Sequence, residues 1–526
     1  MSKPDNLYTR EDWPHIPGST RRRRAFRPDA VEFDCDVVVV GSGAGGAVVA
    51  AELAEGGLDV IVVEEGGYHP TESFTPDSAD AIRRLYRDGG AIMALGAPPV
   101  TYSEGRCVGG STVINGGMTW RTPEKILGRW AREDWVEQIR AEDMDSTFSR
   151  VERMISAQHQ DPWTVGRDNR LLQEGALKKS WDVIPNIRNQ FHCAGTNNCA
   201  FGCPTAAKRS TLVTYIPRSL HFGARVLSNC RVDRVTSKGK RITGVEGHVV
   251  TQNARDGFPF RIHARRVVLS AGAIHTPGIL FRSGVHSPSG RLGHNLSLHP
   301  NVKVTAVFDE EIRGWEGVHQ AYQVREFQNE GLVFAAVNIP PSIAAMTLPF
   351  YGAELRDLMH DYPRMVIAGM LLEDTETGRV RNAAGKPLAT YQLSDFDAER
   401  LVRGTALLSE MLFDMGAKRI VLPFEGIPDL KSGDDVKRLY AQKIPKECME
   451  LVTVHMMGTC AMGGDRARHV CDSWGRVYDT EGLLVADASL FPSPIGVNPM
   501  ETIMALATRV AAQILSEGRQ PTRLYA

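Results

Sequence analysis

Cysteine is scarce in this sequence, at nine residues in 526, and the count is odd. That excludes a small fold stapled by disulfides. An excess of charge of either sign is also lacking, since 61 Lys and Arg stand against 62 Asp and Glu. A net charge of −1 gives no field that would draw the chain to nucleic acid or to an anionic membrane. Long apolar runs are missing too. The most apolar stretch, 37–51, holds four glycines and stops at Glu52, which is too short and too glycine-rich to cross a bilayer. The four arginines Arg21 to Arg24 are not followed by an apolar segment, because Arg27, Asp29, Glu32 and Asp34 interrupt it. No signal peptide is read there, the run is a solvated basic arm, and the expected location is the cytoplasm.

Glycine, by contrast, is abundant at 50 residues without any three-residue period, so the excess belongs to tight turns and close backbone approaches. Apolar residues at 42% and charged residues at 23% match ordinary globular chains. At roughly 150 residues per domain the length calls for more than one unit.

The first clear unit follows a polar arm, 1–32. Asp34-Cys35-Asp36-Val37-Val38-Val39-Val40 reads as a strand buried on both faces, and Ala47 to Glu55 as a helix. Between them Gly41, Gly43 and Gly46 fit G-x-G-x-x-G. The first glycine permits the turn, the second lets backbone N–H groups approach a pyrophosphate, and the third lets helix and sheet pack closely. Leu58 to Glu64 gives the second strand, and Glu64 is placed to accept hydrogen bonds from ribose hydroxyls. This is a dinucleotide-binding βαβ unit, and its motif leaves FAD and NAD both open.

Later segments continue the pattern. Arg266 to Ser270 is a strand, a helix starts at Thr276-Pro277, Leu483 to Asp487 is a strand, and a long apolar helix runs from Met500 to Ser516. Between 301 and 447 the texture changes to an antiparallel sheet, with strands at Val302–Phe308 and Met365–Leu372. A helix runs from Ser394 to Met415, with Ser394 or Asp395 as N-cap and Gly416 after its end. The expected fold is α/β: a Rossmann-like dinucleotide-binding domain with an inserted α+β substrate domain built on an antiparallel sheet. The expected division is 33–155, 205–300 and 448–526 for the first domain, 156–204 for a cysteine-containing connection, and 301–447 for the second.

A second glycine loop, Gly105-Arg106-Cys107-Val108-Gly109-Gly110-Ser111-Thr112-Val113-Ile114-Asn115, carries the chain further. Here, and at Gly272 to Pro277, Leu292 to Pro300, His455 to Gly463, Val485 to Ser489 and Val497-Asn498-Pro499, the sequence resembles the glucose–methanol–choline (GMC) flavin oxidoreductases, with the blocks in family order. The resemblance implies FAD. It places Arg106, Gly109, Gly110, Ser111 and Asn115 near the flavin, and Asp487, Ala488, Pro499 and Met500 along its ribityl chain and pyrimidine end. Some members link the flavin covalently through a His just before that Asn. Ile114 stands there in this chain, which implies non-covalent FAD.

Oxidising an alcohol by hydride transfer to flavin N5 requires a base for the hydroxyl proton and a donor to hold the oxygen. By resemblance His455 is that base and Asn498 the second residue, while His275, His294 and His299 read as structural. Cys193, Cys199 and Cys203, in the pattern Cys-x5-Cys-x3-Cys-Pro, are candidate ligands of a [3Fe-4S] cluster, and their spacing resembles that of iron–sulfur-containing GMC dehydrogenases. Buried free thiols and a regulatory disulfide are the alternatives.

The reading is thus a dehydrogenase that passes electrons from an alcohol to an acceptor other than NAD, either a protein or a quinone. The alternatives are an oxygen-using oxidase that makes hydrogen peroxide, a hydroxynitrile lyase on the same scaffold, and a redox sensor built on the cysteine loop. The apolar stretches Val333 to Val337 and Met346 to Tyr351 fit a bulky or lipophilic alcohol, with a sugar-like polyol left open.

Overall fold

Val37 to Val40 have at most 5% of their surface exposed, because they lie at the centre of a sheet covered on both faces. The computed structural model describes residues 3–13, 16–24, 27–250 and 256–518. The strand containing those valines, Arg27–Val40, is flanked by Val60–Val63 and Asp256–Leu269, both parallel to it. Arg225–Leu227 extends the parallel layer on one side and Leu483–Val485 on the other. The helices Gly46–Glu55 and Met500–Gly518 belong to this layer's core. The pairing explains the Val-rich, non-alternating strands seen in the sequence. It also corrects the reading of the first 32 residues as a free arm. Leu7–Tyr8 pairs with Arg225–Leu227, and Thr20–Arg24 forms an antiparallel ladder on Arg27–Val40, so the arginine run has a backbone partner.

The helix expected to start at Thr276-Pro277 in fact spans Gly272–Arg282, with Pro277 inside it. Gly272, at φ +84°, makes the turn, and the Asp487 carboxylate accepts its N–H at 2.9 Å, which supplies the missing N-terminal partner. A proline inside a helix leaves the carbonyl four residues earlier without its donor. Here that carbonyl, on Ala273, accepts the Thr459 hydroxyl at 2.5 Å.

The second sheet is antiparallel through Asn301–Val307, Met365–Leu372, Leu332–Ala336 and Tyr322–Val324. Its edges come from outside 301–447. Val183–Pro185 pairs with Tyr322–Val324, Leu451–Thr453 meets Asn301–Val307, and Val100–Tyr102 lies parallel to Leu451–Thr453. Boundaries drawn along the chain therefore cut through a sheet that is shared in space. The helix Asp395–Asp414 contributes to the core of this sheet, and the Ser394 hydroxyl caps it by accepting the Asp397 N–H at 3.0 Å. What matters for the site is that Asn301–Val307 and Leu451–Thr453 pair at Asn301 and Val452, which brings His299 beside His455.

Candidate active site

The two glycine loops lie against each other. A Cβ on Gly46 would sit 2.0 Å from the Gly41 carbonyl oxygen, and one on Gly110, at φ +54°, would sit 2.8 Å from Cα of Gly43. Only glycine permits this approach. Ser42 ties the loops together, because its hydroxyl donates to Glu64 at 2.7 Å and accepts the Gly109 N–H at 3.0 Å. Glu64 also accepts the N–H groups of Ser42 and Gly66. Burial pushes its carboxyl above the usual range, against these hydrogen bonds. Ser111 accepts the Gly105 N–H at 3.0 Å, and the Arg106 backbone packs on Gly66.

The C-terminal blocks close the cradle. The space a Cβ on Gly45 would need is filled by the Ala486 carbonyl. Asp487 is fully committed: Ser489 occupies one carboxylate oxygen, and Gly272 and Thr276 occupy the other. The Ala488 carbonyl accepts the Gly458 N–H at 3.0 Å. Asn115 reaches Sδ of Met500 at 3.0 Å, and the Pro499 carbonyl accepts the Ile503 N–H of the last helix.

His455 and Asn498 are buried beside each other, with the Asn498 amide 3.4 Å from Nε2 of His455. On the other side of the ring, Nδ1 of His455 lies 3.3 Å from Nδ1 of His299, with the rings at 87°. Nε2 of His299 accepts the N–H groups of Ile495 (3.3 Å) and Gly496 (3.2 Å). A neutral imidazole carries one proton, so His299 carries its proton on Nδ1 and donates it to His455. The proton of His455 then sits on Nε2. Oδ1 of Asn498 is buried without a partner, and the amide turned over would accept that proton. Burial holds the His455 imidazole down at about 4, and burial followed by the neighbouring His455 holds His299 well below its ordinary value. Both rings are neutral at pH 7.

His299 is the residue the sequence reading missed. It was placed among structural histidines, and only the strand pairing reveals its contact with His455. Asp374 supports it from behind by accepting the N–H groups of Leu298 (2.9 Å) and His299 (3.3 Å). Burial lifts the Asp374 carboxyl to about 7.

Cys193, Cys199 and Cys203 line a single cavity of about 340 Å³. They do not form the ligand set expected for an iron–sulfur cluster, because among the described residues no three His, Cys, Asp or Glu side chains are placed to hold a metal ion. The thiols share the cavity with two cations instead. Arg188 donates to Sγ of Cys199 at 3.3 Å, and Lys208 is buried alongside. Nζ of Lys208 donates to the carbonyls of Val113 (2.7 Å), Asn115 (2.8 Å) and Cys199 (2.5 Å). Burial lowers the Lys208 ammonium to about 8. For Cys203 burial works upward, but hydrogen bonds from Lys208 and Thr205 outweigh it and the thiol lies below its ordinary value. All nine cysteines are free thiols.

Three family models match the chain: an FAD binding domain over residues 36–75, and two described as GMC oxidoreductase over 82–301 and 374–507. An uncharacterized GMC-type oxidoreductase of Sinorhizobium fredii is 34% identical over 488 residues, covering 92% of this chain and 95% of that protein. The chain belongs to the GMC oxidoreductase family. This GMC oxidoreductase is also 27% identical over 531 residues to a long-chain-alcohol oxidase of Arabidopsis thaliana, covering 93% of this chain and 68% of that protein. Among solved structures, a formate oxidase of Aspergillus oryzae shares the fold at TM-score 0.71 and 15% identity, covering 92% of this chain and 98% of that one. The chain is an FAD-binding oxidoreductase, and no helix among its described residues is long and apolar enough to cross a membrane.

Proposed function

We propose that this GMC oxidoreductase oxidises an alcohol to a carbonyl at His455 and Asn498. The observation that carries this reading is the buried, neutral His455–Asn498 pair, next to a cradle whose glycines leave no room for side chains. The cradle fits a dinucleotide. The N-terminus of Gly46–Glu55 would hold the diphosphate, Glu64 the ribose, and Gly109, Gly110, Ser111 and Asn115 the flavin end. Arg106 lies on the same loop, and Asp487, Ala488, Pro499 and Met500 close the cradle. Ile114 has no nucleophilic atom, which supports non-covalent FAD. Bound FAD supplies the hydride acceptor.

The residues then divide the work. Asn498 orients the alcohol oxygen, and His455 takes the hydroxyl proton at Nε2. In the resting arrangement that nitrogen already carries a proton, so base action requires the ring's own proton to move to Nδ1 and the contact with His299 to break. This favours a second reading, in which His455 only donates to the substrate oxygen. His455→Gln separates the two, because glutamine can donate a hydrogen bond but cannot serve as a base. Anaerobic flavin bleaching by alcohol slowed about 10³-fold or more supports the base, whereas a loss of about tenfold supports the donor.

For the electron acceptor we favour molecular oxygen over a cluster-linked protein or quinone, since among the described residues the cysteine loop is not arranged as a ligand set and the similar Arabidopsis protein is an alcohol oxidase. The long-chain-alcohol oxidase likeness favours a lipophilic alcohol, while Leu332, Phe334 and Ala336 belong to the second sheet's core and Met346 is exposed. Hydrogen peroxide formed in step with alcohol consumed is the test.

A further inference from the structure

The cysteine loop is folded as a hairpin. Gln190 bridges Lys208, and the Phe191 N–H donates to the Ala207 carbonyl at 2.8 Å, so the two arms run antiparallel. Positive φ at His192 (+52°) and Ala206 (+56°) ends the pairing there, and beyond it Cys193 and Cys203 both line the same cavity. Gly195 (φ +65°) and Gly202 (φ +89°) take positive φ in the loop between the arms. The three thiols are not equivalent. Cys199 is buried and held by Arg188, whereas Cys193 and Cys203 are partly buried.

We propose that Cys193 and Cys203 form a peroxide-oxidisable thiol pair. Cys203 is the attacking sulfur. It is partly accessible, and it accepts hydrogen bonds from the Lys208 N–H at 3.4 Å with the Thr205 hydroxyl also 3.4 Å away. Its sulfur attacks one oxygen of hydrogen peroxide, the O–O bond breaks, and a sulfenic acid and one water result. Cys193 then attacks that sulfur, displaces the oxygen as a second water, and closes a disulfide. Two thiols lose two electrons and two protons, and the peroxide takes them up.

Closing the disulfide takes the Cys203 sulfur away from the backbone N–H of Lys208, whose ammonium stays on its three carbonyls. The proposal stands on the loop geometry alone and does not need the enzyme itself to produce the peroxide.

The test is to treat the holoenzyme with equimolar hydrogen peroxide, then digest it without reduction and map the linked peptides by mass spectrometry. The expected result is a Cys193–Cys203 linked peptide lighter by two hydrogens and removed by dithiothreitol. It should be lost in Cys203→Ser and retained in Cys199→Ser. In Cys193→Ser, dimedone should label Cys203 as a trapped sulfenic acid. Flavin absorbance of each variant before treatment shows that it has folded. A link through Cys199, a Cys203 that stays reduced while the fold is intact, or acid-labile sulfide bound at these thiols in the purified protein would each overturn the proposal.

Discussion

The pocket around His299, His455 and Asn498 and the cavity around Arg188, Lys208 and the three cysteines meet at one residue, Asn115. Its side chain reaches Met500, two residues from Asn498, and its carbonyl accepts from Lys208. Both regions are buried and polar, yet they handle burial differently. Among the described residues no ion pair involves His299 or His455, and desolvation keeps both rings neutral. The cysteine cavity buries two cations and meets Lys208 with three backbone carbonyls in place of a carboxylate. A neutral pocket disfavours any net charge, so a proton taken up there must be matched by one given away. A cation bound to three carbonyls holds a position, because moving it would orphan four groups at once.

The comparison can be broken at several points. The largest effect is expected from His455→Ala, which should slow anaerobic flavin reduction by about 10³-fold or more while leaving FAD bound, as single-turnover absorbance would show. Asn498→Ala should cost about 10²-fold in the same measurement, since it removes one group that holds the substrate oxygen. Lys208→Met should act on stability instead. With three carbonyls losing a charged donor, a loss of about 3 kcal/mol or more is expected, read as a lower melting temperature by circular dichroism, with FAD released before the protein unfolds. If Lys208→Met left the melting temperature unchanged, the contrast between the two regions would fail.

The smallest effect concerns pH. The reacting form of His455 is neutral and its folded value is about 4, so kcat/KM should persist as pH falls through the ordinary histidine range near 6.5 and decline only on approach to about 4. Stability moves over the same window. Between about 6.5 and 4 the unfolded chain binds protons that the buried His455 and His299 refuse, so stability should fall as pH falls, as melting scans would show. An acid limb near 6.5 would mean that His455 is more solvated than the structure has it.

The sequence revealed the first sheet well, because Val37 to Val40 and Gly41, Gly43 and Gly46 are local signals whose physics is complete within a few residues. The helix Asp395–Asp414 was equally legible, from its Ser394 cap and the glycine beyond it. What stayed hidden depends on distant partners. Pro277 read as a helix start because nothing near it in sequence shows that Thr459 satisfies the carbonyl it leaves open. His299 read as structural because its contact with His455 depends on two strands about 150 residues apart in the chain. The cysteine spacing invited a cluster because spacing does not show that Arg188 and Lys208 enter the same cavity.

The proline bond has one further consequence. The hydroxyl of Thr459 fills a vacancy that only proline creates, and it does so four residues after His455, on the segment that carries the site. The helix beside the nucleotide cradle is thus fastened by this hydrogen bond to the segment that carries His455. Pro277→Ala would let the helix close its own ladder and release that hold, a change that adds a hydrogen bond to one element while loosening the alignment between the nucleotide cradle and the His455 segment.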